Sequence, residues 1–205
     1  MTTTQIFIEL LITGIGGVTW IIAFICAFCG LDLENIIFKD FSSSSLILLA
    51  VFAYVLGIMI DRLGYHFFIG FEEKKISKVF PNDNKYPNEK DFGKKRDIIY
   101  PKPMITYIIS CSSNLEEQIV YNRTRLRLCR SWIINFFFLF FSFLTYYLMM
   151  QTTAPYFLYV FHFSFLFFVL SLWIWNRLSE DYYKNIKSSF DILQEEKWLD
   201  KPHAK

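Results

Sequence analysis

Four long apolar blocks alternate with polar segments along the chain. The blocks cover, approximately, residues 6–29, 44–68, 131–150 and 156–175. An α-helix rises about 1.5 Å per residue, so about twenty residues cross a hydrocarbon core of about 30 Å. The first block meets this length without a single charge, from Leu10 to Cys29. The pattern therefore predicts an all-α integral membrane protein with four transmembrane helices.

The first two predicted helices carry small residues at helical spacing. Ala23 and Ala27 form one such pair in the first helix, and Ala53 and Gly57 form another in the second. Small residues four apart let the backbones of two membrane helices approach closely. We therefore expect residues 1–71 to form a hairpin in which these two helices are the close-packed pair.

A polar segment at residues 72–112 separates this hairpin from the rest of the chain. It is rich in lysine and is broken by four prolines, which is typical of a loop, here a cytoplasmic one: Pro81, Pro87, Pro101 and Pro103. Within it, the run MITYIIS at residues 104–110 indicates a short strand on the membrane-proximal surface.

One uninterrupted helix is predicted from Ser113 to Met150. Ser113-x-x-Glu116 is a capping-box pattern at its start, and neither proline nor glycine follows until after Ala154. Its first half is basic, and its second half is the third transmembrane helix. Residues 113–175 thus hold a basic extension and the third and fourth transmembrane helices.

The C-terminal segment, residues 176–205, continues the fourth helix out of the membrane. Its apolar residues recur every three or four positions, which marks an amphipathic helix: Leu178, Tyr182, Ile186, Phe190 and Leu193. This apolar stripe needs a cover, for which the basic helix, another subunit and the bilayer surface are the alternatives.

The distribution of Lys and Arg predicts the orientation. One side of the predicted bundle carries only Lys39, whereas the side with residues 72–112 and the C-terminus carries most cations near helix ends. By the positive-inside rule, we expect both termini and the middle segment to be cytoplasmic. Separately, we expect the membrane to be a bacterial inner (plasma) membrane.

Composition narrows the chemistry. The 205 residues are 54% hydrophobic and carry a net charge of +2, which is too small for nucleic-acid binding. The histidines are scattered, no nucleotide-binding or hydrolase motif occurs, and we predict neither a metal site nor a cofactor. The expected partners are anionic lipid headgroups, further copies of the chain and a soluble cytoplasmic protein.

Three arginines share one helix face just before the third transmembrane helix. Arg123, Arg127 and Arg130 are spaced at i, i+4 and i+7. Guanidinium groups at this position anchor a helix to lipid phosphates. The alternative is that they bind an anionic ligand or a partner, since arginine captures phosphate or carboxylate through two hydrogen bonds.

A polar stripe continues from this face into the membrane. If the third and fourth helices form an antiparallel hairpin, Asn135 lies level with Ser171, and Ser142 lies level with Ser164. Hydrogen bonding between the two helices is one interpretation. A wetted path in an oligomer is the other.

Several ionisable side chains lie within or beside the apolar blocks. Glu9, Asp61 and Arg62 fall near the predicted cytoplasmic ends, where we expect them to anchor the interface, although intramembrane charges also mark functional sites. His162 lies about two turns inside the fourth helix, and we expect it to be a hydrogen-bonded packing residue.

Cys26-Ala27-Phe28-Cys29 is a CxxC near the outer end of the first helix. With the four-helix plan, it resembles quinone-linked disulfide oxidoreductases of the DsbB and vitamin K epoxide reductase type. That resemblance implies a membrane thiol oxidoreductase with Cys26 and Cys29 as its redox pair. Those families need a second outer cysteine pair, whereas Cys111 and Cys129 are predicted to be cytoplasmic.

Two non-enzymatic hypotheses stand beside the oxidoreductase. The first is an oligomeric membrane effector or channel-like module with a basic cytoplasmic face. Its plan is similar to that of small membrane effectors in prokaryotic phage defence, by architectural analogy. The second is a membrane anchor or scaffold that recruits a soluble cytoplasmic partner through residues 72–112 and the C-terminal helix.

Overall fold

A computed structural model describes residues 3–31, 43–80, 101–150 and 155–199. These residues are almost entirely helical and form five helices in chain order: α1 (Thr3–Cys29), α2 (Ser43–Val79), α3 (Pro101–Cys111), α4 (Ser113–Met150) and α5 (Pro155–Leu199). Four of the five, all except α3, are long and apolar enough to cross a membrane. The all-α class, with four such helices, is therefore confirmed.

The unbroken helix from Ser113 to Met150 is also confirmed. Its capping residue differs from the prediction, because Ser112 rather than Ser113 caps the helix. The hydroxyl of Ser112 accepts the Leu115 N–H at 3.5 Å, and its carbonyl accepts the Glu116 N–H at 3.1 Å. The Ser112 N–H also donates to the Ile108 carbonyl at 3.0 Å. This one residue therefore ends α3 and begins α4.

The segment between α2 and α4 departs from the prediction at both of its ends. α2 continues to Val79, past the predicted end near Phe68, because Glu and Lys favour helix and no proline follows until Pro81. The predicted strand at residues 104–110 is wrong, since these residues lie in α3. Proline is tolerated in the first helical turn, and Met104 and Ile108 share one buried face. Residues 81–100, the centre of the predicted loop, lie outside the described residues.

α1 ends in a glycine turn. Gly30 has φ +64°, a conformation that costs glycine little, and the Leu31 N–H donates to the Cys26 carbonyl at 3.0 Å. This bond satisfies a carbonyl of the last turn that has no partner inside the helix.

The chain divides into two units. The apolar unit comprises Thr2–Phe67 and Arg127–Trp175, and the polar unit comprises Phe68–Leu126 and Asn176–Lys205. α2, α4 and α5 each contribute residues to both.

Within the apolar unit, α1 contacts both α2 and α4. α1 meets α2 through glycine, because a Cβ atom on Gly14 would overlap the Ala53 carbonyl oxygen, and one on Gly57 would overlap that of Leu10. The predicted close packing of the first two helices is thus confirmed. Ala27, by contrast, packs against Tyr146 of α4.

α4 and α5 are antiparallel in the apolar unit and meet through phenylalanine rings. The ring centroids of Phe140 and Phe161 are 4.4 Å apart, and those of Phe136 and Phe167 are 5.4 Å apart. Offset aromatic pairs at this separation add about 0.5–1.5 kcal/mol each beyond the area they bury. The rest of the apolar α5 surface is largely exposed, including Phe163 and Trp173.

The polar unit has a core of its own, built from the end of α2, α3, the start of α4 and the end of α5. Of the predicted stripe on α5, Tyr182, Ile186 and Phe190 are buried, whereas Leu178 and Leu193 are half-buried. Tyr107 of α3 packs edge-on against Phe190 at 5.7 Å. Part of the cover for the stripe therefore comes from α3 of the same chain.

Candidate functional site

Asn135 joins α4 to α1 in the middle of the apolar unit. Its side-chain Nδ2 donates to the Thr13 carbonyl at 2.8 Å, and its Oδ1 accepts the Trp20 indole N–H at 3.3 Å. The amide is fully buried. A Cβ atom on Gly16 would lie 2.6 Å from Nδ2, so the glycine makes room for the amide.

Ser142 repeats this connection two turns further along α4. Its hydroxyl lies 3.0 Å from the Trp20 carbonyl oxygen of α1 and 2.7 Å from the Phe138 carbonyl oxygen of its own helix. The Trp20 indole also stacks on the Phe138 ring at 4.8 Å. Trp20 therefore contacts α4 through its backbone carbonyl, its indole N–H and its ring face.

The predicted hydrogen bonding between α4 and α5 is wrong for these residues. Asn135 and Ser142 bond to α1, while Ser164 donates to the Val160 carbonyl of its own helix at 2.8 Å. Ser171 is half-buried on α5. The polar stripe of α4 thus faces α1, and the phenylalanines beside it face α5.

Two of the three predicted arginines meet an aspartate of α2. Arg127 Nε lies 3.4 Å from Asp61 Oδ1, and its Nη2 lies 3.2 Å from Oδ2, so the guanidinium approaches both carboxylate oxygens. Arg130 Nη2 lies 3.6 Å from Oδ1. The side chains of Asp61, Arg127 and Arg130 are 18%, 26% and 7% exposed, respectively. We call these three residues the Asp61 cluster.

Tyr65 and Gly64 of α2 accommodate the Arg130 side chain. Its guanidinium carbon lies 5.5 Å from the centre of the Tyr65 ring, which is within cation–π range. A Cβ atom on Gly64 would lie 3.2 Å from its side chain, so Gly64 gives it space. Arg62, next to Asp61, is exposed, and Arg123 belongs to the polar unit, where it is also exposed.

Lysines link α2 and α5 in the polar unit. The Lys75 ammonium donates to the Asn176 carbonyl at 2.8 Å and to the Ser179 hydroxyl. In the opposite direction, Lys187 of α5 donates to the Val79 carbonyl at the end of α2, at 3.2 Å. Burial lowers the pKa of Lys75, which lies in the polar extension of α2, although the carboxylates of Glu180 and Glu72 act to raise it.

An apolar groove of the apolar unit is formed by α1 and α2. It encloses about 490 Å³ and is lined by side chains of α1 and α2, with Phe143 of α4. Its lining includes Ile15, Ile22, Leu46 and Leu49, and the one hydroxyl there, on Thr19, donates to the Ile15 carbonyl. Such a surface accepts hydrocarbon and offers little to a polar ligand.

The remaining predicted residues are distributed as follows. Cys26 is buried against Ala27 and Tyr146, whereas Cys29 is exposed, and both are free thiols. His162 is exposed, and its Nδ1 lies 2.6 Å from the Leu158 carbonyl, which makes Nδ1 the protonated nitrogen. Glu9 is half-buried on α1. No group of three potential metal ligands occurs among the described residues.

Sequence reasoning identified Asn135, Ser142, Asp61 and the arginines, but it missed the pairing of Asp61 with the arginines and the partners of Asn135 and Ser142 on α1. Trp20 had a usable signal, since an indole N–H buried among apolar residues needs an acceptor. Thr13 had none, because it accepts through a backbone carbonyl that every residue carries.

No protein-family model, curated protein or solved structure matches the chain.

Proposed function

We propose that the chain is a multi-pass membrane protein that works by assembly. In this proposal the apolar unit lies in the bilayer, and the polar unit recruits a soluble partner in the cytoplasm. The surface of the apolar unit supports this placement, because α2 and α5 expose large apolar side chains along their length, such as Leu48, Phe52 and Phe167. An apolar surface this extended is typical of contact with lipid or with another subunit.

One observation favours an anchor over a pore within a single chain. A pore needs polar side chains directed at water, whereas Asn135 and Ser142 are used between α1 and α4. Asp61 and Arg127 likewise bond to each other. Since these polar groups stabilise the helix bundle instead of facing a water-filled pore, the apolar unit is better suited to anchor the protein in the membrane.

The polar unit is suited to partner binding because it has its own core and helix-to-helix hydrogen bonds. Its surface carries Tyr121 beneath the Arg125 guanidinium, at 5.4 Å, together with the exposed Ile192. Tyr and Arg are enriched at the centres of protein interfaces.

An oligomeric, channel-like effector is the second candidate. It is favoured by the apolar surface of α5, which a neighbouring copy of the chain would cover, so that a lumen would form between chains. Dye leakage from cells or vesicles that contain the protein supports this candidate. A stable complex with a soluble protein, without leakage, supports the anchor.

Two native cysteines test the placement in the membrane. Cys29 at the end of α1 and Cys111 at the end of α3 are both exposed. We would prepare two variants that each retain one of them and treat intact bacterial cells with a membrane-impermeant maleimide. We expect Cys29 to react at once and Cys111 only after permeabilisation.

The reverse labelling pattern would invert the orientation. Release of the protein from the membrane fraction by alkaline carbonate would contradict the proposal as a whole.

A further inference from the structure

The Asp61 cluster carries more positive than negative charge. The Asp, Glu, Lys and Arg side chains that the structure describes in the apolar unit are two carboxylates, Glu9 and Asp61, and three guanidinium groups, Arg62, Arg127 and Arg130. Among the described residues of the apolar unit, the guanidinium groups therefore outnumber the carboxylates. In a setting of low dielectric constant, such an excess attracts an anion strongly.

The two arginines of the cluster have different roles. Arg130 is nearly inaccessible, with its guanidinium against Tyr65 and its stem against Gly64. Arg127 is the more exposed, and its contacts with Asp61 use Nε and Nη2. A guanidinium has five N–H groups, and the contacts of Arg127 with the described residues leave its Nη1 edge available for a further acceptor.

The position of the cluster along the helices selects the ligand. Arg127 and Arg130 directly precede the apolar run of α4 that begins at Ser131, and Asp61 directly follows the apolar run of α2 that ends at Ile60. If the apolar unit spans the bilayer, as proposed above, both positions lie at the depth of the lipid phosphates. Arginine binds phosphate oxygens through paired N–H groups.

We propose that Arg127, supported by Arg130, binds the phosphate of an anionic phospholipid, and that Asp61 competes with this phosphate for the same guanidinium. The carboxylate holds Arg127 in place when no lipid is bound. A lipid phosphate engages the open edge of the guanidinium and weakens its contact with Asp61. The occupancy of the site then depends on the anionic lipid content of the membrane.

The competition gives two substitutions opposite effects, which a purely structural ion pair does not. Arg127→Gln removes the guanidinium that binds the phosphate, so we expect affinity for anionic lipid to fall about five-fold. This fall corresponds to the loss of one cation near an anionic surface. Asp61→Asn removes the competitor with little change in shape, so we expect affinity to rise. Arg62→Gln, which removes an exposed neighbouring charge, is the matched control and should have the smaller effect.

The experiment uses the full chain, reconstituted in nanodiscs of phosphatidylcholine with increasing phosphatidylglycerol. The lipids retained by the purified protein are counted by native mass spectrometry for the wild type and the three variants. We expect the wild type to retain phosphatidylglycerol selectively, Asp61→Asn to retain more and Arg127→Gln to retain less. Inorganic phosphate at millimolar concentration should not displace the lipid.

Three results would overturn the inference. Retention of both lipids in proportion to their supply by the wild type would show that no selective site exists. A fall in retention for Asp61→Asn would show that the ion pair is structural. Displacement by inorganic phosphate would make the ligand a free anion. Each of these results concerns protein already inserted in a bilayer, whereas failure to insert at all would contradict the proposed membrane placement instead.

Discussion

Asn135 of α4 donates its side-chain amide to the Thr13 carbonyl of α1 at 2.8 Å and accepts the Trp20 indole N–H on its other side. One side chain therefore satisfies two groups on a neighbouring helix. Interhelical hydrogen bonds in membranes contribute about 0.6 kcal/mol on average and up to about 1.7 kcal/mol. Because Asn135 also accepts the N–H of the partly buried Trp20 indole, we expect its contribution to stability to lie near the upper end of this range.

Asn135→Ala should therefore lower the free energy of unfolding by about 1–2 kcal/mol, since it removes both bonds and leaves the indole N–H without this acceptor. Unfolding in mixed detergent, followed by tryptophan fluorescence, measures the change. Ser171→Ala, on the half-buried face of α5, is the control and should change little. Equal stability of the two variants would show that the Asn135 contacts contribute no more than an average surface contact.

Glycine substitutions should have opposite effects in the two units. Gly14→Ala places a methyl group into the Ala53 carbonyl and should destabilise the protein by about 1–3 kcal/mol as α1 and α2 separate. Gly70→Ala meets nothing within 4 Å and should stabilise α2 by up to about 1 kcal/mol, because alanine favours helix. Thermal denaturation of the two variants in one detergent tests the pair. A stable Gly14→Ala protein would contradict the close α1–α2 crossing.

Lys75→Met should loosen the α2–α5 contact of the polar unit. The substitution keeps an unbranched side chain of similar size but removes the ammonium group that donates to Asn176 and Ser179, at a cost of about 1 kcal/mol for a half-exposed site. Hydrogen exchange should accelerate in α5 around these residues. Lys74→Met, on an exposed neighbour, should leave exchange there unchanged. Equal exchange in both variants would show that the Lys75 contacts do not hold the helices together.

Alkylation of the thiols tests the redox hypothesis. Cys26 is packed against Tyr146, and the described structure gives every cysteine as a free thiol. We expect protein denatured in iodoacetamide, taken directly from cells, to be modified at all four cysteines without prior reduction. If Cys26 and Cys29 reacted with iodoacetamide only after reduction, the result would instead support the oxidoreductase hypothesis.

The sequence was most informative about the length and the faces of the helices. The unbroken run to Met150 followed from the absence of proline and glycine, and the buried stripe of Tyr182, Ile186 and Phe190 followed from its spacing. Both are local properties, which the sequence near each residue determines. The end of α2 was missed because its Glu- and Lys-rich turns merge in composition with the proline-rich segment that follows.

The neighbours of each helix could not be predicted in the same way. If the apolar unit lies in lipid, as proposed, every face of an apolar helix can face the bilayer, so hydrophobicity does not specify which helix packs on which. An asparagine in an apolar helix indicates that its side chain needs hydrogen-bond partners. The acceptor for Asn135 is the backbone carbonyl of Thr13, which no sequence pattern distinguishes from other carbonyls. The antiparallel hairpin predicted for α4 and α5 placed Asn135 level with Ser171 of α5. It did not consider α1, which contacts the same stripe of α4 through Trp20 and Gly16.

The central position of α1 has a consequence for biosynthesis. During translation α1 and α2 are complete well before α4 is made, and their glycine crossing at Gly14 and Gly57 needs nothing from α4. The indole of Trp20, in contrast, gains its acceptor only when Asn135 arrives. We therefore expect the apolar unit to assemble in two stages. The hairpin of α1 and α2 forms first, and α4 then docks on the face of α1 that the hairpin leaves open.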